Sequence, residues 1–335
     1  MIVILTEKPS VARDIAEHVK AKQRRDGYFE GNGYQVTWAF GHLVSLKEPE
    51  DYDPGLKKWS LQTLPILPES FELKLANDKG IQKQFGIIKK LFTSAKELIC
   101  ATDAGREGEL IFRYILSMAE CTDKPWKRLW LSSLTEEALQ KAFESLKTGS
   151  AYDNLYAAAR CRNKADWIVG LNATRNFTVR YGRGTTLWSV GRVQTPVLAM
   201  IVGRDDEIRH FTPEPFFELH TKYRDVAFKH KGDRFKKKED AEALLNKIKD
   251  SSFHIDKVTA KKEKEHPPLL FDLTELQREM NKKMGMTAAD TLKAAQTLYE
   301  QKYITYPRTD SRYLSQDMKP QIASTLNQAS YRFKA

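Results

Sequence analysis

The stretch that decides the fold is Leu98-Ile99-Cys100-Ala101-Thr102-Asp103-Ala104-Gly105-Arg106-Glu107-Gly108-Glu109. Its four apolar residues at positions 98–101 predict a short buried strand. After Gly105, apolar residues recur at the spacing of one helix face, at Leu110, Ile111, Tyr114, Ile115 and Met118. A strand that leads through a short turn into a helix is typical of α/β domains with a parallel sheet.

The N-terminus repeats this strand-to-helix pattern. Residues 2–5 are apolar and predict another buried strand, and Pro9 suits the first turn of the helix that follows. Further along, the patterns predict hairpins, a helix and a third strand, at 20–46, 79–92 and Leu129-Trp130-Leu131 respectively. We therefore expect an α/β domain with a parallel sheet over residues 1–150.

Three further segments differ from this one in composition. The sequence pattern of residues 151–213 predicts a mainly helical region. Residues 214–265 predict an α+β region, with strands at 216–219 and 253–255 around a helix at 239–249. The His266-Pro267-Pro268 boundary opens residues 266–335, where capping pairs precede two predicted helices: Asp272 with Glu275 before 273–284, and Thr287 with Asp290 before 288–301.

The overall composition favours a polyanionic partner. The chain has 335 residues, 30% of them charged, and a formal net charge of +11. An excess of Lys and Arg is typical of proteins that bind nucleic-acid phosphates, although a soluble basic protein would show it too. The three cysteines form no CxxC pair, which argues against a zinc site in this segment. Their number is odd and small for the length, which fits the reducing cytoplasm. No apolar run is long enough to span a membrane.

Three carboxylates are predicted to meet at one edge of the sheet. Glu7 and Asp103 follow two predicted strands, and Glu107 lies just inside a predicted helix. Grouped carboxylates are ligands for a hard cation such as Mg²⁺, which suits phosphate substrates. Each residue alone would more often be a helix cap or a partner of the helix dipole.

Basic residues beside these carboxylates predict an anion site. Lys8 and Arg106 flank the two strand ends, and Gly105 permits close approach of the backbone to a ligand. The chain contains no GxxxxGK[ST] motif, so a nucleotide-driven P-loop motor is excluded. Nucleic-acid phosphate is therefore a better candidate ligand than ATP.

A tyrosine near the C-terminus is a candidate nucleophile. It lies in Tyr303-Ile304-Thr305-Tyr306-Pro307-Arg308-Thr309-Asp310-Ser311-Arg312. Tyr306 could attack a phosphate if its proton were removed, with Arg308 and Arg312 gripping the charged product. On chemistry alone, a tyrosine between helices is more often a packed aromatic with one hydrogen bond.

A third constellation, Ser189-Val190-Gly191-Arg192-Val193-Gln194-Thr195-Pro196, lies among the arginines of the helical region. Its polar side chains could bind the backbone of a single strand, as could nearby arginines; the candidates are Arg162, Arg175, Ser189, Arg192, Gln194 and Thr195. An ordinary helix start with solvated charges explains the same residues equally well.

Taken in order, these motifs resemble one family. Thr6-Glu7-Lys8-Pro9-Ser10, the segment 102–109, the segment 189–196 and Ile304–Ser311 are similar to the motifs of type IA DNA topoisomerases. The Glu-Lys-Pro-Ser and Tyr-Pro-Arg-Thr-Asp-Ser sequences are most similar to the motifs of the topoisomerase III branch. The resemblance covers essentially the whole chain, and it reverses the low expectation for Tyr306.

The resemblance implies a fold and a set of roles. Residues 1–150 would form a Toprim domain, followed by partial gate domains: 151–213 in the single-strand groove, 214–265 in the arch and 266–335 around the nucleophile. Tyr306 would become linked to a 5′ end, Glu7 would serve the leaving 3′ oxygen, and Lys8 with Arg308 would stabilise the phosphoryl group. Glu7, Asp103 and Glu107 would hold Mg²⁺, and Arg106 would contact DNA.

The chain departs from the family pattern in two ways. The usual acidic motif has a second aspartate two residues after the first, and Gly105 stands there instead. Family members also continue well beyond the nucleophile, whereas this chain stops at Ala335, so it resembles a truncated N-terminal part whose activity alone is left open.

Two other function classes compete with this reading. A nuclease-like or primase-like Toprim enzyme would cut or copy DNA without attaching itself, which makes Tyr306 incidental. A basic nucleic-acid-binding scaffold would bind in a salt-sensitive way without any response to Mg²⁺. Neither alternative accounts for the sequence around Tyr306.

Overall fold

The computed structural model describes residues 1–131, 134, 136–301, 303–308, 311–314 and 316–332. The chain divides into two units, one built from residues 1–192 with 268–335 and the other from residues 193–267. The division at Pro267 lies beside the boundary predicted at 266. The four predicted segments stay a prediction, because this two-way division does not separate the first from the second.

The described residues form the following elements. The strands are β1 Ile2–Thr6, β2 Gln23–Arg25, β3 Tyr28–Gly31, β4 Tyr34–Trp38, β5 Val44–Leu46, β6 Leu73–Leu75, β7 Glu97–Ala101, β8 Trp126–Arg128, β9 Lys147–Thr148, β10 His220–Tyr223 and β11 Val226–Lys229. The helices are α1 Pro9–His18, α2 Pro49–Tyr52, α3 Lys79–Ser94, α4 Arg106–Met118, α5 Glu136–Glu144, α6 Asp153–Ala165, α7 Leu171–Tyr181, α8 Gln194–Arg209, α9 Lys238–Ile248, α10 Leu273–Met284, α11 Ala288–Glu300 and α12 Lys319–Arg332.

The first unit is built on a seven-stranded sheet in the order β2-β3-β4-β1-β7-β8-β9. β1 runs parallel to β4 and β7, and β7 runs parallel to β8, which confirms the predicted parallel α/β core. The centre is buried on both faces, since Val3, Ile4 and Leu5 are inaccessible to solvent. Strands buried in this way read as continuous apolar runs, and this is the pattern that the sequence shows.

Helices cover both faces of the sheet. Because successive side chains of a strand point to opposite faces, Val3 and Leu5 join one core cluster and Ile4 joins another. The first cluster packs against α3 and α4, and the second against α1 and α5. The unit is therefore a three-layer sandwich with the carboxyl ends of β1 and β7 at one edge.

The third strand lies three residues earlier than predicted. The sequence favoured Leu129–Leu131, but β8 spans Trp126–Arg128 and includes a buried arginine. Arg128 is tolerated there because its guanidinium donates to backbone carbonyl groups, a compensation that hydropathy cannot show. Leu129 still donates one hydrogen bond to the Cys100 carbonyl, and the chain then leaves the sheet.

The helical part of the first unit agrees with the prediction. α6 and α7 are joined by a π-helical turn at Asp166–Gly170. Asp272 and Thr287 cap α10 and α11 through their side-chain oxygens, which accept from the backbone N–H groups of Glu275 and Asp290. Among the described residues, no helix has both the length and the apolar content required to cross a membrane.

The second unit contains α8, the β10–β11 hairpin and α9. The predicted helix at 239–249 is confirmed. The strand predicted at 216–219 is reduced to an isolated antiparallel bridge between Phe217 and Phe235, and the strand predicted at 253–255 is wrong. The hairpin turns at Arg224 and Asp225, which both have positive φ. A turn of this kind is usually signalled by an Asn-Gly pair, which this segment lacks. Phe253 packs on the aromatic rings of the hairpin instead of forming a strand.

Candidate active site

The sheet places Glu7 and Lys8, which follow β1, close to Asp103, which follows β7. In the register of β1 and β7, Thr6 lies opposite Ala101, so the residues that follow both strands emerge at the same edge. There the Lys8 Nζ lies 3.1 Å from the Asp103 Oδ2. This arrangement confirms that the two predicted strands are neighbours in one sheet.

A buried arginine holds the backbone around Asp103. The Arg128 guanidinium donates to the carbonyl oxygens of Cys100, Thr102 and Asp103 at 3.0, 2.8 and 2.8 Å. Its charge is balanced by Glu109, whose Oε2 lies 3.3 Å from the Arg128 Nε, and both side chains are inaccessible to solvent. Buried charges of this kind are stable only when paired, so the pair fixes the loop that carries Asp103.

The start of α4 packs tightly under the same loop. A Cβ atom on Gly108 would lie 2.1 Å from the Asp103 carbonyl oxygen, a distance that no side chain tolerates. The Thr102 hydroxyl also donates to the Gly108 carbonyl at 2.8 Å. Glycine at position 108 is therefore required for the close approach of helix and loop.

Tyr306 lies against this cluster. It lines one cavity with Asp103, the Lys8 Nζ lies 4.8 Å from its ring centroid, and the Tyr299 ring meets it edge-on at 5.3 Å. Burial raises the pKa of the Tyr306 hydroxyl well above its usual range, the Asp103 charge and hydrogen bond and the Glu7 charge raise it further, and Arg308 lowers it. Its proton must therefore be removed by a neighbouring group for the oxygen to attack.

The carboxyl group of Glu7 is also perturbed. Burial raises its pKa, the negative charges of Asp103 and Glu107 raise it further, and the adjacent Lys8 lowers it. A carboxyl group whose pKa is raised holds a proton more readily at neutral pH, which suits a proton donor.

Glu107 has a partner that sequence reasoning missed. Its Oε1 lies 3.0 Å from the Nε2 of His42, and both side chains are more than half exposed. The only signal was Gly41-His42 within the hairpins predicted at 20–46, and Gly41 has a positive φ that suits a turn. Arg106 is exposed beside Glu107 at the first position of α4.

The side chains present are of the chemical type that binds a hard cation, because Glu7, Asp103 and Glu107 all supply carboxylate oxygens. Within the described ranges, no three His, Cys, Asp or Glu side chains are grouped closely enough to hold a metal ion. Asp103 is engaged by Lys8 and Tyr306, and Glu107 by His42. Binding a cation would therefore replace those partners.

Known proteins are similar to this chain in fold and in sequence. Residues 2–134 match the family described as Toprim domain, and residues 150–335 match the family described as DNA topoisomerase. The chain belongs to the type IA DNA topoisomerases. Three proteins named DNA topoisomerase 3, from Shouchella clausii, Bacillus cereus and Staphylococcus epidermidis, are 46%, 45% and 46% identical to it over 97%, 94% and 97% of its length.

These topoisomerase relatives are longer than this chain, which spans 45%, 44% and 45% of the three proteins. The full-length topoisomerase I from Thermotoga maritima is 23% identical, with a TM-score of 0.63 over 97% of this chain and 52% of that one. At that identity the structural likeness shows a shared fold.

The candidate strand-binding residues of this topoisomerase chain fall into three groups. Arg162 and Ser189 are exposed in the first unit. Arg192 makes two hydrogen bonds with Asp166 at 2.7 and 2.9 Å, so its guanidinium is already oriented by a carboxylate. Gln194 and Thr195 begin α8 in the second unit.

Arg175 is placed differently from the prediction. It is only 5% exposed, and it donates to the Leu56 carbonyl at 2.6 Å and stacks on Trp59 at 5.2 Å from the ring centroid. Asn172, one turn before it on α7, bonds both backbone groups of Ile66. We correct the predicted role, because this guanidinium anchors the loop at 48–70 and has little surface left for phosphate.

The sequence also missed Arg128 and Glu109. An isolated arginine before an apolar triplet and a glutamate inside a helix gave no signal of a buried ion pair. Thr309 and Asp310, which belong to the motif around Tyr306, lie outside the described residues.

Proposed function

We propose that the protein cuts one DNA strand with Tyr306, passes another strand through the break and reseals it without ATP. The observation that carries the proposal is the position of Tyr306, which lines one cavity with Asp103 and whose ring centroid lies 4.8 Å from the Lys8 Nζ, at the ends of β1 and β7. Such an enzyme relaxes supercoiled DNA or separates linked DNA. It needs no nucleotide, because the phosphotyrosyl bond preserves the energy of the bond that was cut.

The cleavage step follows from the groups around Tyr306. The phenolic oxygen attacks a backbone phosphorus, its proton passes to the Asp103 carboxylate, and the bond between phosphorus and the 3′ oxygen breaks. Glu7, whose pKa is raised, gives a proton to the leaving 3′ oxygen. The products are a 5′-phosphotyrosyl linkage and a free 3′ hydroxyl, and rejoining reverses each transfer.

Two cations stabilise the charge that develops on the phosphoryl group. The Lys8 Nζ is fixed between Asp103 and the Tyr306 ring, and Arg308 is close enough to lower the pKa of the Tyr306 hydroxyl. Cations oriented in advance stabilise a charged transition state without reorganising during the reaction.

The proposed cofactor is Mg²⁺, held by Glu7, Asp103 and Glu107. When bound, it would neutralise phosphate charge during rejoining. The support is the set of oxygen donors, together with the pKa of Glu7, which burial raises and the negative charges of Asp103 and Glu107 raise further.

The proposed partner is DNA, and the bound segment is single-stranded. Arg106, Arg162, Ser189 and Arg192 are exposed for contacts with its backbone, and we add Gln194 and Thr195 at the start of α8. We place the protein with DNA in the cytoplasm, because its three cysteines are free thiols, as is usual in a reducing compartment.

Covalent trapping separates this function from its competitors. The chain is incubated with a labelled single-stranded oligonucleotide without ATP and then denatured. We expect a slowly migrating adduct that disappears in Tyr306→Phe and persists in Tyr303→Phe, a neighbouring exposed tyrosine. Cut DNA without an adduct would point to a nuclease, and bound but uncut DNA would point to a scaffold.

A further inference from the structure

The segment that carries Tyr306 has no regular secondary structure of its own. α11 ends at Glu300, and none of the described residues between it and Gln316 belongs to a helix or a strand. A side chain on an irregular segment keeps one orientation only when it packs against a fixed element. The orientation of Tyr306 therefore depends on the residues that its ring contacts.

Tyr299 supplies one of these contacts from a helix. Its ring meets the Tyr306 ring edge-on, with centroids 5.3 Å apart and an angle of 87° replaced here by the observed 68° between the ring planes. Aromatic pairs prefer such an arrangement to a face-to-face stack, because the positive edge of one ring then meets the negative face of the other. Tyr299 is partly buried in the last turn of α11. The contact therefore joins the loop tyrosine to a helical one.

The helix that carries Tyr299 is itself fixed at several points. Its N-terminus is capped by Thr287, whose hydroxyl accepts from the Asp290 backbone N–H at 3.1 Å. Thr291 and Ala295 are buried, and the helix packs against α10. A side chain on a packed helix is held more precisely than one on a loop, so Tyr299 is suited to hold its neighbour.

The Lys8 ammonium lies near both tyrosine rings. Its Nζ is 4.8 Å from the Tyr306 ring centroid and 6.0 Å from the Tyr299 ring centroid. The attraction between a cation and a ring extends to about 6 Å, so the contact with Tyr306 is the stronger of the two. The same Nζ is 3.1 Å from the Asp103 Oδ2. Tyr299, Lys8 and Tyr306 therefore form one cluster beside Asp103.

We infer that Tyr299 is a positioning residue for cleavage, whose ring holds the Tyr306 ring beside the Lys8 ammonium. The inference rests on the proposed function, which assigns the attack to Tyr306 and charge stabilisation to Lys8. A nucleophile held in one orientation reacts faster than one that samples several, because less reorganisation separates it from the geometry of attack. Tyr299 therefore acts on the rate of cleavage and not on the affinity for DNA.

The first test needs no DNA. N-acetylimidazole acetylates accessible tyrosine hydroxyls, and trypsin releases Tyr303 and Tyr306 in one peptide, residues 303–308, so the exposed Tyr303 is an internal reference. Mass spectrometry gives the ratio of Tyr306 to Tyr303 acetylation. In Tyr299→Leu, which lacks the ring, we expect this ratio to rise about threefold or more. In Tyr299→Phe, which keeps the ring, it should equal the parent value.

The second test compares the rate of cleavage with the affinity for DNA. The rate is that of adduct formation with excess protein, and the affinity for the same oligonucleotide is measured in the Tyr306→Phe background. Loss of an aromatic contact in Tyr299→Leu should slow adduct formation about three- to tenfold and change the affinity less than about twofold. Tyr299→Phe should restore the rate.

Leu298→Ala is the matched control. Leu298 is the neighbouring residue of α11, is 42% exposed and lies outside the cavity that both tyrosines line. This variant should change neither the acetylation ratio nor the rate. If urea unfolding shows that Tyr299→Leu does not fold, Tyr299→Met removes the ring with a smaller loss of volume and carries the same expectations.

The inference is overturned by an acetylation ratio in the ring-deleted variant that equals the parent value, or by an unchanged rate of adduct formation. A loss of rate that Tyr299→Phe does not restore would also overturn it. A fall in DNA affinity as large as the fall in rate would show that Tyr299 contacts the strand instead. A parent chain that forms no adduct contradicts the proposed function alone, because the acetylation ratio still decides whether Tyr299 holds Tyr306.

Discussion

At the residue scale, the site depends on a few charges whose positions are fixed by burial. Asp103 is the centre, because it contacts Lys8 and Tyr306 through its side chain and Arg128 through its carbonyl. The Glu109 carboxylate balances the charge of Arg128 and also accepts a hydrogen bond from Arg113 at 2.9 Å. We therefore expect a change at one of these residues to alter the surroundings of Tyr306, the proposed nucleophile.

The buried ion pair gives a prediction about stability. Arg128→Leu removes the fully buried cation beside Glu109, leaves Arg113 alone to pair with that carboxylate, and should lower the free energy of unfolding by about 3–5 kcal/mol. Urea unfolding measures the change. Adding Glu109→Leu to that variant should recover part of the loss, because the buried carboxylate is then gone and Arg113 keeps its ion pair with Asp153. A double variant less stable than the single one would contradict the account.

Gly105 gives a prediction about the cation. A side chain there would meet open space, so Gly105→Asp should fold normally and add a carboxylate beside the other three. Because carboxylate oxygens are preferred ligands of Mg²⁺, this variant should bind Mg²⁺ more tightly, as measured by calorimetric titration. Gly105→Asn has nearly the same size and lacks the charge. Equal affinities of the two variants would show that position 105 does not reach the cation.

At the element scale, the contact between α4 and the loop after β7 predicts opposite results at two glycines. Gly108→Ala places a Cβ against the Asp103 carbonyl, so we expect a loss of about 1–3 kcal/mol and a strong fall in adduct yield. Gly105→Ala meets no atom within 4 Å and should keep both stability and adduct yield. Unfolding curves and trapping assays measure the two effects. A fully active Gly108→Ala would show that the loop position is unimportant.

In the second unit, one carboxylate ties the hairpin to the segment after it. Glu218 accepts from Lys229, Arg234 and His220, and these hydrogen bonds lower its pKa to about 2. Since its pKa is lower in the folded protein than in the unfolded chain, its contribution is complete above the ordinary pKa and is lost as the pH falls towards 2. At neutral pH the contacts are therefore intact.

Removing that carboxylate should expose the segment to protease. Glu218→Gln frees Lys229 and Arg234, so trypsin should cut after these residues faster at neutral pH than in the parent chain. Glu214→Gln, a nearby exposed glutamate, is the control. Time courses on gels or by mass spectrometry measure the rates. Equal rates in all three proteins would contradict a stabilising role for Glu218.

The helices and strands also show how much of the secondary structure could be predicted from the sequence. The apolar runs of β1 and β7, the helices after them and the capping pairs of α10 and α11 were predicted, because each depends on local pattern. The position of β8 was not, since a buried arginine is satisfied only by groups distant in sequence. The β10–β11 hairpin was missed because its turn lacks the usual residues.

For the candidate site, the sequence was enough to predict several of the residues but not the side chains that they contact. Glu7, Lys8, Asp103 and Tyr306 were predicted, mostly through the order of the motifs. The contact of His42 with Glu107 and the burial of Arg175 depend on how loops fold back, which spacing does not encode.

At the scale of the whole molecule, the proposed cleavage site combines two parts of the chain that are distant in sequence. The Toprim-like sheet supplies Glu7, Lys8 and Asp103, and residues 268–335 supply Tyr306 within the same unit. The chain spans about 45% of the relatives it matches, so strand passage by the whole protein stays a proposal. Attack by Tyr306 on a backbone phosphate is the central claim that this chain can test directly.

The most direct measurement is to locate the bond in the trapped adduct. The adduct is digested with nuclease and trypsin, and the peptide Tyr303-Ile304-Thr305-Tyr306-Pro307-Arg308 is fragmented in a mass spectrometer to distinguish its two tyrosines. The account predicts a nucleotide joined through its 5′ phosphate to Tyr306. A nucleotide on Tyr303 or another residue, a linkage through the 3′ end of the break, or no adduct at all would contradict it.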